Sequence, residues 1–120
     1  MYEIALYTSA RGESPVEEFV NALSEKEQRK VAGIFELLAQ EGPALKRPYA
    51  DQVRGDIREL RMQFGRNEYR IFHFFMVSQR VILVHAFAKK TQKLPAREIE
   101  TAEGRMKDFR ARVERRELTP

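Results

Sequence analysis

The spacing of hydrophobic residues changes along the chain between the period of a strand and the period of a helix. Tyr2, Ile4 and Leu6 stand at every second position, which predicts a half-buried N-terminal strand. The next apolar positions have helical spacing and form two stripes, Val16, Phe19, Val20 and Leu23, and then Val31, Ile34, Phe35 and Leu38. Each stripe follows a Ser-x-x-Glu capping box, at Ser14 and at Ser24, so the pattern predicts two consecutive helices.

The period of a strand returns in the second half of the chain. Residues 44–55 contain Pro and Gly and are predicted to form a loop. From Ile57 to Ala88 the residues alternate again, with turns at residues 65–67 and 78–79. Three alternating segments joined by short turns predict an antiparallel meander.

The last apolar stripe again has helical spacing and follows Pro95. Its members are Ile99, Ala102, Met106, Phe109 and Val113. The elements therefore follow the order β-α-α-β-β-β-α, which predicts one α+β domain over residues 1–120. We expect an antiparallel sheet with the N-terminal helical hairpin on one face and a C-terminal helix.

The turns also predict the register of the meander. A two-residue loop at residues 78–79 gives the expected pairs Val77–Arg80, Phe72–His85 and Arg70–Phe87. A two-residue loop at residues 66–67 gives the expected pairs Phe64–Tyr69 and Met62–Ile71. Because directly paired residues share a face of the sheet, these pairs divide the side chains into two sets.

One set is apolar and the other is rich in cations and aromatic rings. The apolar face, expected to carry the helical hairpin, collects Leu60, Met62, Phe64, Ile71, Phe75, Val84 and Ala86. His73 falls on this face and is expected to be structural. The opposite face collects Glu59, Arg61, Gln63, Arg70, Phe72, His85, Phe87 and, at the strand end, Lys89.

Charge is divided unevenly between the halves of the chain. The net charge is +4, and it is made up of −3 in residues 1–60 and +7 in residues 61–120. A basic half of this kind favours contact with a polyanion such as nucleic acid, and the alternative is a solvated C-terminal helix.

The chain has no Cys, which excludes disulfides and cysteine-bound zinc. No transmembrane run or secretory signal is visible, so we expect a cytoplasmic protein without a membrane partner.

The cationic face has a possible chemical use. Arg61, Arg70 and Lys89 can hold phosphate oxygens, Phe72 and Phe87 can stack on bases, and His85 can exchange a proton near neutral pH. RNA cleavage without a metal ion needs these functions together with an aligned 2′-hydroxyl. In the alternative interpretation, the strand arginines pair with Glu59 or Glu68, and His85 is a buried residue bonded to backbone. The carboxylates in general are interpreted as surface residues of helices, and no HExxH, GxSxG or Gly-rich phosphate loop occurs.

Several segments resemble the RelE/ParE toxin superfamily, and in particular its HigB-type, phage-derived branch. They are Glu59-Leu60-Arg61, Tyr69-Arg70-Ile71-Phe72, the run Val84-His85-Ala86-Phe87-Ala88-Lys89-Lys90-Thr91-Gln92-Lys93-Leu94-Pro95, Glu98-Ile99 and Ala102. The segment F-x-K-K-T-Q-K-x-P is the most specific of them. The order of the elements agrees with this fold over nearly the whole chain.

The resemblance implies a ribosome-dependent, metal-free endoribonuclease that cuts messenger RNA and is neutralised by a helix-turn-helix antitoxin. It needs no cofactor. The resemblance implies that Arg70 contacts the scissile phosphate, that Lys90 or Lys89 is the basic residue after the last strand, and that Arg61 is a basic residue of the preceding strand. His85 is added as catalytic from the register alone, and Lys93, Gln92, Phe72 and Phe87 are candidate RNA-binding residues.

The sequence departs from the family pattern in two places. No tyrosine follows Pro95, so the proton donor or stacking ring of some relatives has no match. Leu94 stands where this branch often has Thr, so the last helix lacks its usual N-cap. Two alternative functions remain open at this stage: a ParE-like toxin that binds DNA gyrase without cleaving RNA, and a degenerate phage-derived protein that only binds nucleic acid or a partner.

Overall fold

A computed structural model, which describes all 120 residues, contains five strands and three α-helices. The strands are β1 (Glu3–Leu6), β2 (Ala50–Arg54), β3 (Ile57–Phe64), β4 (Asn67–Met76) and β5 (Arg80–Lys89). The helices are α1 (Pro15–Asn21), α2 (Glu25–Glu41) and α3 (Ala96–Glu114), and a single 3₁₀ turn covers Gly42–Ala44. The strands form one sheet in the order β1-β5-β4-β3-β2, so the predicted α+β class is confirmed.

Two features of the sheet differ from the prediction. The predicted loop over residues 44–55 contains the edge strand β2, whose polar sequence and bulge after Gln52 hide the strand period. The sheet is mixed rather than antiparallel, because β1 pairs with β5 in parallel. The helical hairpin connects β1 to β2 at the opposite edge of the sheet, so the two parallel strands are not consecutive in the chain.

The register between β4 and β5 contains two irregularities that compensate each other. The turn is one residue longer than predicted, because Met76 rather than Val77 pairs with Arg80. A bulge in β5 then restores the predicted pairs Phe72–His85 and Arg70–Phe87. The bulge also puts Val84 on the face opposite the hairpin, so its predicted place on the apolar face is wrong.

The register between β3 and β4 is shifted by two residues from the prediction. The turn occupies Gly65 and Arg66, so Met62 pairs with Tyr69 instead of Ile71, and Phe64 pairs with Asn67. Gly65 has a φ of +56°, which a residue without a side chain adopts without strain. A shift of two keeps every side chain on its predicted face. The structure therefore preserves the face assignment even though these pairs are wrong.

A hydrophobic core lies on each face of the sheet. The hairpin packs on the face that includes Leu60, Met62, Ile71, Val81 and Leu83. Helix α3 packs on the other face, where its residues Ala102, Met106 and Phe109 meet Ile57, Phe72, Phe74, Ile82, Val84 and Phe87. The expected open aromatic face is thus covered by α3, and Phe72 and Phe87 lie inside the second core.

The two predicted capping boxes have different outcomes. Ser24 accepts a hydrogen bond from the Glu27 backbone, and the Glu27 side chain accepts one from the Ser24 backbone, so this capping box is complete. Tyr69 donates its hydroxyl to the same Glu27 and ties α2 to β4. Ser14 makes no side-chain cap, so the first capping box is absent and α1 begins at Pro15 without it.

His73 is fully buried between the sheet and the hairpin, as expected for a structural residue. Its ring meets the Phe75 ring edge to face, and neither ring nitrogen has the geometry of a hydrogen bond. Burial lowers the pKa of His73 from 6.5 to about 3; the Ile71 backbone opposes this shift, and the Arg58 charge adds a smaller contribution in the same direction as burial. His73 is therefore neutral in the folded protein.

We expect the protein to lose stability as the pH falls from about 6.5 towards 3, because the unfolded chain protonates His73 there and the folded chain does not. This group alone costs about 1.4 kcal/mol for each pH unit below its unfolded pKa. The His73→Leu variant lacks that cost, so its stability relative to the parent should improve as the pH is lowered. Urea unfolding of both proteins between pH 7 and 5 measures the difference, and parallel curves would contradict a neutral buried His73.

Candidate functional site

Polar side chains from β2 to β5 meet at one end of the sheet. Around them is a cleft of about 270 Å³. It is lined by Arg47, Asp51, Gln52, Glu59, Arg61, Arg70, Lys89, Gln92 and Leu94. Four of the predicted site residues, Arg61, Arg70, Lys89 and Gln92, line this cleft, and the first three are brought together as the predicted faces of the sheet require.

The strand register explains why these charges converge. Arg61 lies directly opposite Arg70, and Asp51 lies directly opposite Glu59. Two arginines at facing positions repel each other unless carboxylates lie close by. The cleft supplies those carboxylates from its own strands, so its electrostatics depend on paired charges rather than on a bare cationic surface.

Arg70 is the most deeply buried charge of the cleft, with an exposed fraction of 3%. Its Nε lies 3.2 Å from Glu59 Oε1, and its Nη2 donates to Glu68 Oε1 at 3.1 Å. Its Nη1 donates to the Tyr69 carbonyl. The alternative interpretation of a strand arginine paired with Glu59 or Glu68 is therefore confirmed for both partners, and Arg70 does not project freely from an open face.

Glu59 is a buried carboxylate with an exposed fraction of 5%. Its Oε1 makes no hydrogen bond, because the nearby Arg70 Nε is poorly aligned with it. Burial raises the pKa of Glu59 above its usual value, although the charges of Arg70, Arg61 and Lys89 partly oppose the shift. The interpretation of carboxylates as surface residues of helices missed this group. Its place on the polar face of a strand was the available signal.

Asp51 has the opposite electrostatic environment. Arg47 Nε donates to it at 2.8 Å, the Gln52 backbone donates to its other oxygen, and Arg61 lies 4.0 Å away. These hydrogen bonds lower the pKa of Asp51, and the one from Arg47 contributes most. The two carboxylates of the cleft thus differ, since Asp51 is held as an anion and Glu59 is disposed to take up a proton.

A second, wider cleft of about 580 Å³ adjoins the first at the end of β5. It is lined by Arg66, Asn67, Glu68, Ala88, Lys89, Lys90, Thr91 and Gln92. Lys89 and Gln92 border both clefts, and Lys89 Nζ donates to the Gln92 carbonyl at 3.0 Å. Lys90 therefore belongs to the second cleft, and Lys93 is exposed on the following loop and lines neither of them.

His85 lies outside both clefts, beneath α3. Arg105 donates to its Nδ1 at 2.9 Å, which leaves the proton on Nε2, and Nε2 donates to Glu98 at 3.0 Å. Burial lowers the pKa of His85, with Arg105 acting in the same direction and Glu98 against it. The ring stacks on Phe87 at 5.5 Å. The structure does not bring His85 to Arg61, Arg70 and Lys89, and its hydrogen bonds with Glu98 and Arg105 instead tie β5 to α3.

The rings predicted to stack on RNA bases are not at the surface. Phe72 is completely buried and Phe87 is 9% exposed. Helix α3 covers both because its apolar stripe needs the same face of the sheet. No group of three or more His, Asp and Glu side chains is placed to hold a metal ion, and none of the helices is both long and apolar enough to cross a membrane.

The fold and the cleft define a small α+β protein with a paired-charge, net cationic site at the open end of a five-stranded sheet. The chain belongs to the family described as "Phage derived protein Gp49-like (DUF891)", whose model matches residues 18–107. The resemblance to the phage-derived, HigB-like branch is thereby confirmed.

Two curated relatives, from two strains of Mycobacterium tuberculosis, are each described as "Probable endoribonuclease HigB1". Each is 44% identical to this chain over 55 residues, which is 46% of this chain and 43% of the relative. The chain therefore matches less than half the length of these relatives.

We expect Arg70→Ala to destabilise the fold by about 3–5 kcal/mol, because it leaves the buried Glu59 carboxylate without its cation. Adding Glu59→Gln to that variant removes the unpaired charge and should recover part of the loss. Arg115→Ala, which breaks an exposed pair with Glu117, serves as the control and should cost much less. Urea unfolding measures all three, and equal losses for Arg70→Ala and Arg115→Ala would contradict a buried pair.

Proposed function

We propose that the protein is the toxin of a type II toxin–antitoxin system, a metal-independent endoribonuclease that cuts messenger RNA on the ribosome. The observation that carries the proposal is the pair of adjoining clefts, which places Arg47, Arg61, Lys89 and Lys90 along one path. Family membership and the name of the mycobacterial relatives support the same activity. We place it in the cytoplasm, where translating ribosomes are found.

The net positive charge along the two adjoining clefts suits the binding of a phosphodiester backbone. Four cationic side chains and only two carboxylates line the smaller cleft. Arg61 presents a planar fork that matches two phosphate oxygens, and Lys89 adds a mobile point charge. A single RNA strand can pass from one cleft to the other across Lys89 and Gln92, which border both.

The proposed reaction is attack of the 2′-hydroxyl on its own phosphorus. Bound RNA is held so that this oxygen, phosphorus and the leaving 5′-oxygen lie in line. Arg61 and Lys89 stabilise the charge that develops on the phosphorane oxygens, which is the role that a metal ion has in other nucleases. Arg70 supports them from the floor of the cleft, where it is already oriented by Glu68 and the Tyr69 carbonyl.

Three of the residues predicted for RNA have no part in this proposal. Phe72, Phe87 and His85 are held under α3. RNA is bound instead by the second cleft, whose lining includes Lys90, Gln92 and Arg66. Lys93 extends this surface from its exposed position on the loop.

We expect induction of this protein alone to arrest growth with cleavage of messenger RNA, and co-expression of its antitoxin to restore growth. Purified protein should cut messenger RNA on programmed ribosomes equally well with and without EDTA. Growth arrest with intact messenger RNA and inhibited DNA gyrase would replace the proposal by the ParE-like alternative. Normal growth with abundant folded protein would contradict both and favour a degenerate binding protein.

We expect Arg61→Ala and Lys89→Ala each to lower single-turnover cleavage about a hundredfold, because each removes a preorganised charge from the phosphorane. Lys107→Ala, an exposed change on α3 away from both clefts, is the matched control and should leave the rate unchanged. Thermal melts separate lost activity from lost fold. A Lys107→Ala rate as low as that of Lys89→Ala would show that general positive charge, not the cleft, is responsible.

We propose a helix-turn-helix antitoxin as the partner, with acidic side chains opposite Arg61 and Lys89, which are partly exposed. Salt should then slow association more than it speeds dissociation, because steering charges act mainly on the encounter rate. Measuring both rate constants from low to high salt tests this expectation. An association rate that does not respond to salt would indicate a mainly apolar interface at another surface.

A further inference from the structure

The cleavage reaction needs a proton acceptor for the 2′-hydroxyl, and the smaller cleft contains few groups that qualify. Both histidines lie elsewhere, one inside the hairpin core and one beneath α3. The side chains of the arginines and of Lys89 are hydrogen-bond donors without an acceptor atom. Only Asp51 and Glu59 remain among the lining residues.

Both carboxylate oxygens of Asp51 already accept hydrogen bonds within the protein. Its two oxygens receive hydrogen bonds from Arg47 and from the Gln52 backbone, and Arg61 adds a second positive charge. These donors stabilise its anion and make it a weaker base.

Glu59 has the opposite character. It is more than nine-tenths buried, it makes no hydrogen bond with any group of the protein, and the part that stays exposed lines the cleft. The charged groups that face it are Arg70 from β4, Arg61 from β3, Lys89 from β5 and Asp51 from β2. A buried carboxylate without a hydrogen-bonded partner is costly, so the position needs a donor that the protein does not supply.

Arg70 makes proton uptake by Glu59 electrostatically feasible. Before the reaction, the guanidinium lies against the Glu59 carboxylate, with Nε 3.2 Å from Oε1. When the proton moves to Glu59, the negative charge moves to the phosphorane in the same cleft. Arg70 lines that cleft and stays next to the charge in both states. No buried charge is left unpaired during the step, which is the situation that costs most in a protein interior.

We propose that Glu59 is the general base of the RNA cleavage reaction and takes the proton of the 2′-hydroxyl. The inference rests on the proposed endoribonuclease function. The bond from O2′ to phosphorus forms while the bond from phosphorus to O5′ breaks, and the leaving O5′ takes a proton from the Lys89 ammonium. The products are a 2′,3′-cyclic phosphate and a 5′-hydroxyl end. Protonated Glu59 and neutral Lys89 then return to their starting states by exchange with water.

Single-turnover cleavage on programmed ribosomes, measured across pH for the full chain and its variants, tests this role. E59Q should lower the rate about a hundredfold or more, the usual contribution of a general base. The rate of the parent should fall at low pH as Glu59 takes up a proton, which gives an acidic limb in its pH–rate profile, and E59Q should lack this limb. E59D, which keeps a carboxylate one methylene shorter, should retain the limb at a reduced rate. E68Q removes the other carboxylate partner of Arg70 and should also keep the limb.

A second substrate separates a general base from other roles. RNA with sulfur in place of the scissile O5′ has a leaving group that needs no proton, so it rescues loss of a general acid. This substrate should not rescue E59Q and should partly rescue K89A. Rescue of E59Q would overturn the assignment as base. An E59Q variant that cleaves within a few-fold of the parent would also overturn the assignment. An E59Q variant that cleaves slowly but keeps the acidic limb would overturn it too, because Glu59 would then be a positioning residue for Arg70.

RNA cleavage by the parent protein tests the endoribonuclease function separately from the role of Glu59. If the parent does not cut RNA on ribosomes, the endoribonuclease function fails and the assignment of Glu59 fails with it. If the parent cuts RNA and E59Q cuts it with the same pH profile, the function stands and only the role of Glu59 is overturned. Melting temperatures of all variants exclude loss of fold, and E59D answers the question if E59Q does not fold.

Discussion

The open end of the sheet depends on one buried guanidinium. Arg70 forms an ion pair with Glu59 on β3 and donates hydrogen bonds to Glu68 and the Tyr69 carbonyl on its own strand, so it links β3 to β4. Breaking a buried charge pair is far more costly than breaking an exposed one. The same group therefore stabilises the strand pairing and sets the electrostatics of the cleft. Arg61 lies directly opposite Arg70, and the nearby carboxylates of Asp51 and Glu59 offset the repulsion between the two arginines.

The packing of α3 on the second face of the sheet determines which residues of that face a ligand can reach. Helix α3 has an apolar stripe that can be buried only against Phe72, Phe74, Val84 and Phe87. Tyr7 donates to Asp108 and Arg112 donates to the Thr8 carbonyl, so further polar contacts fix the helix against the segment that follows β1. The cationic cleft begins where this cover ends. Position along the strand, and not only the face, therefore separates core residues from site residues.

The fold was largely predictable because its signals are local. Helical stripes, strand alternation and the capping box at Ser24 each specify one element, and the structure contains all of those elements. The edge strand β2 was missed because its polar sequence gives no alternation. The bulge at Val84 has no sequence signal, and the face assignment survived at Phe72 and Arg70 only because the longer turn compensated for it.

The site was predictable only in part, since register determines which side chains share a face but not what covers them. The convergence of Arg61, Arg70 and Lys89 followed from alternation. Burial of Phe87 and the bonding of His85 to Glu98 and Arg105 depend on where α3 docks, which is a tertiary property. Glu59 was predicted only as a possible partner of the strand arginines, and its unusual environment was missed for the same reason. The pKa of a carboxylate on a strand rises when the surrounding residues exclude water from it and donate no hydrogen bonds to it. The spacing of residues in the sequence shows neither condition.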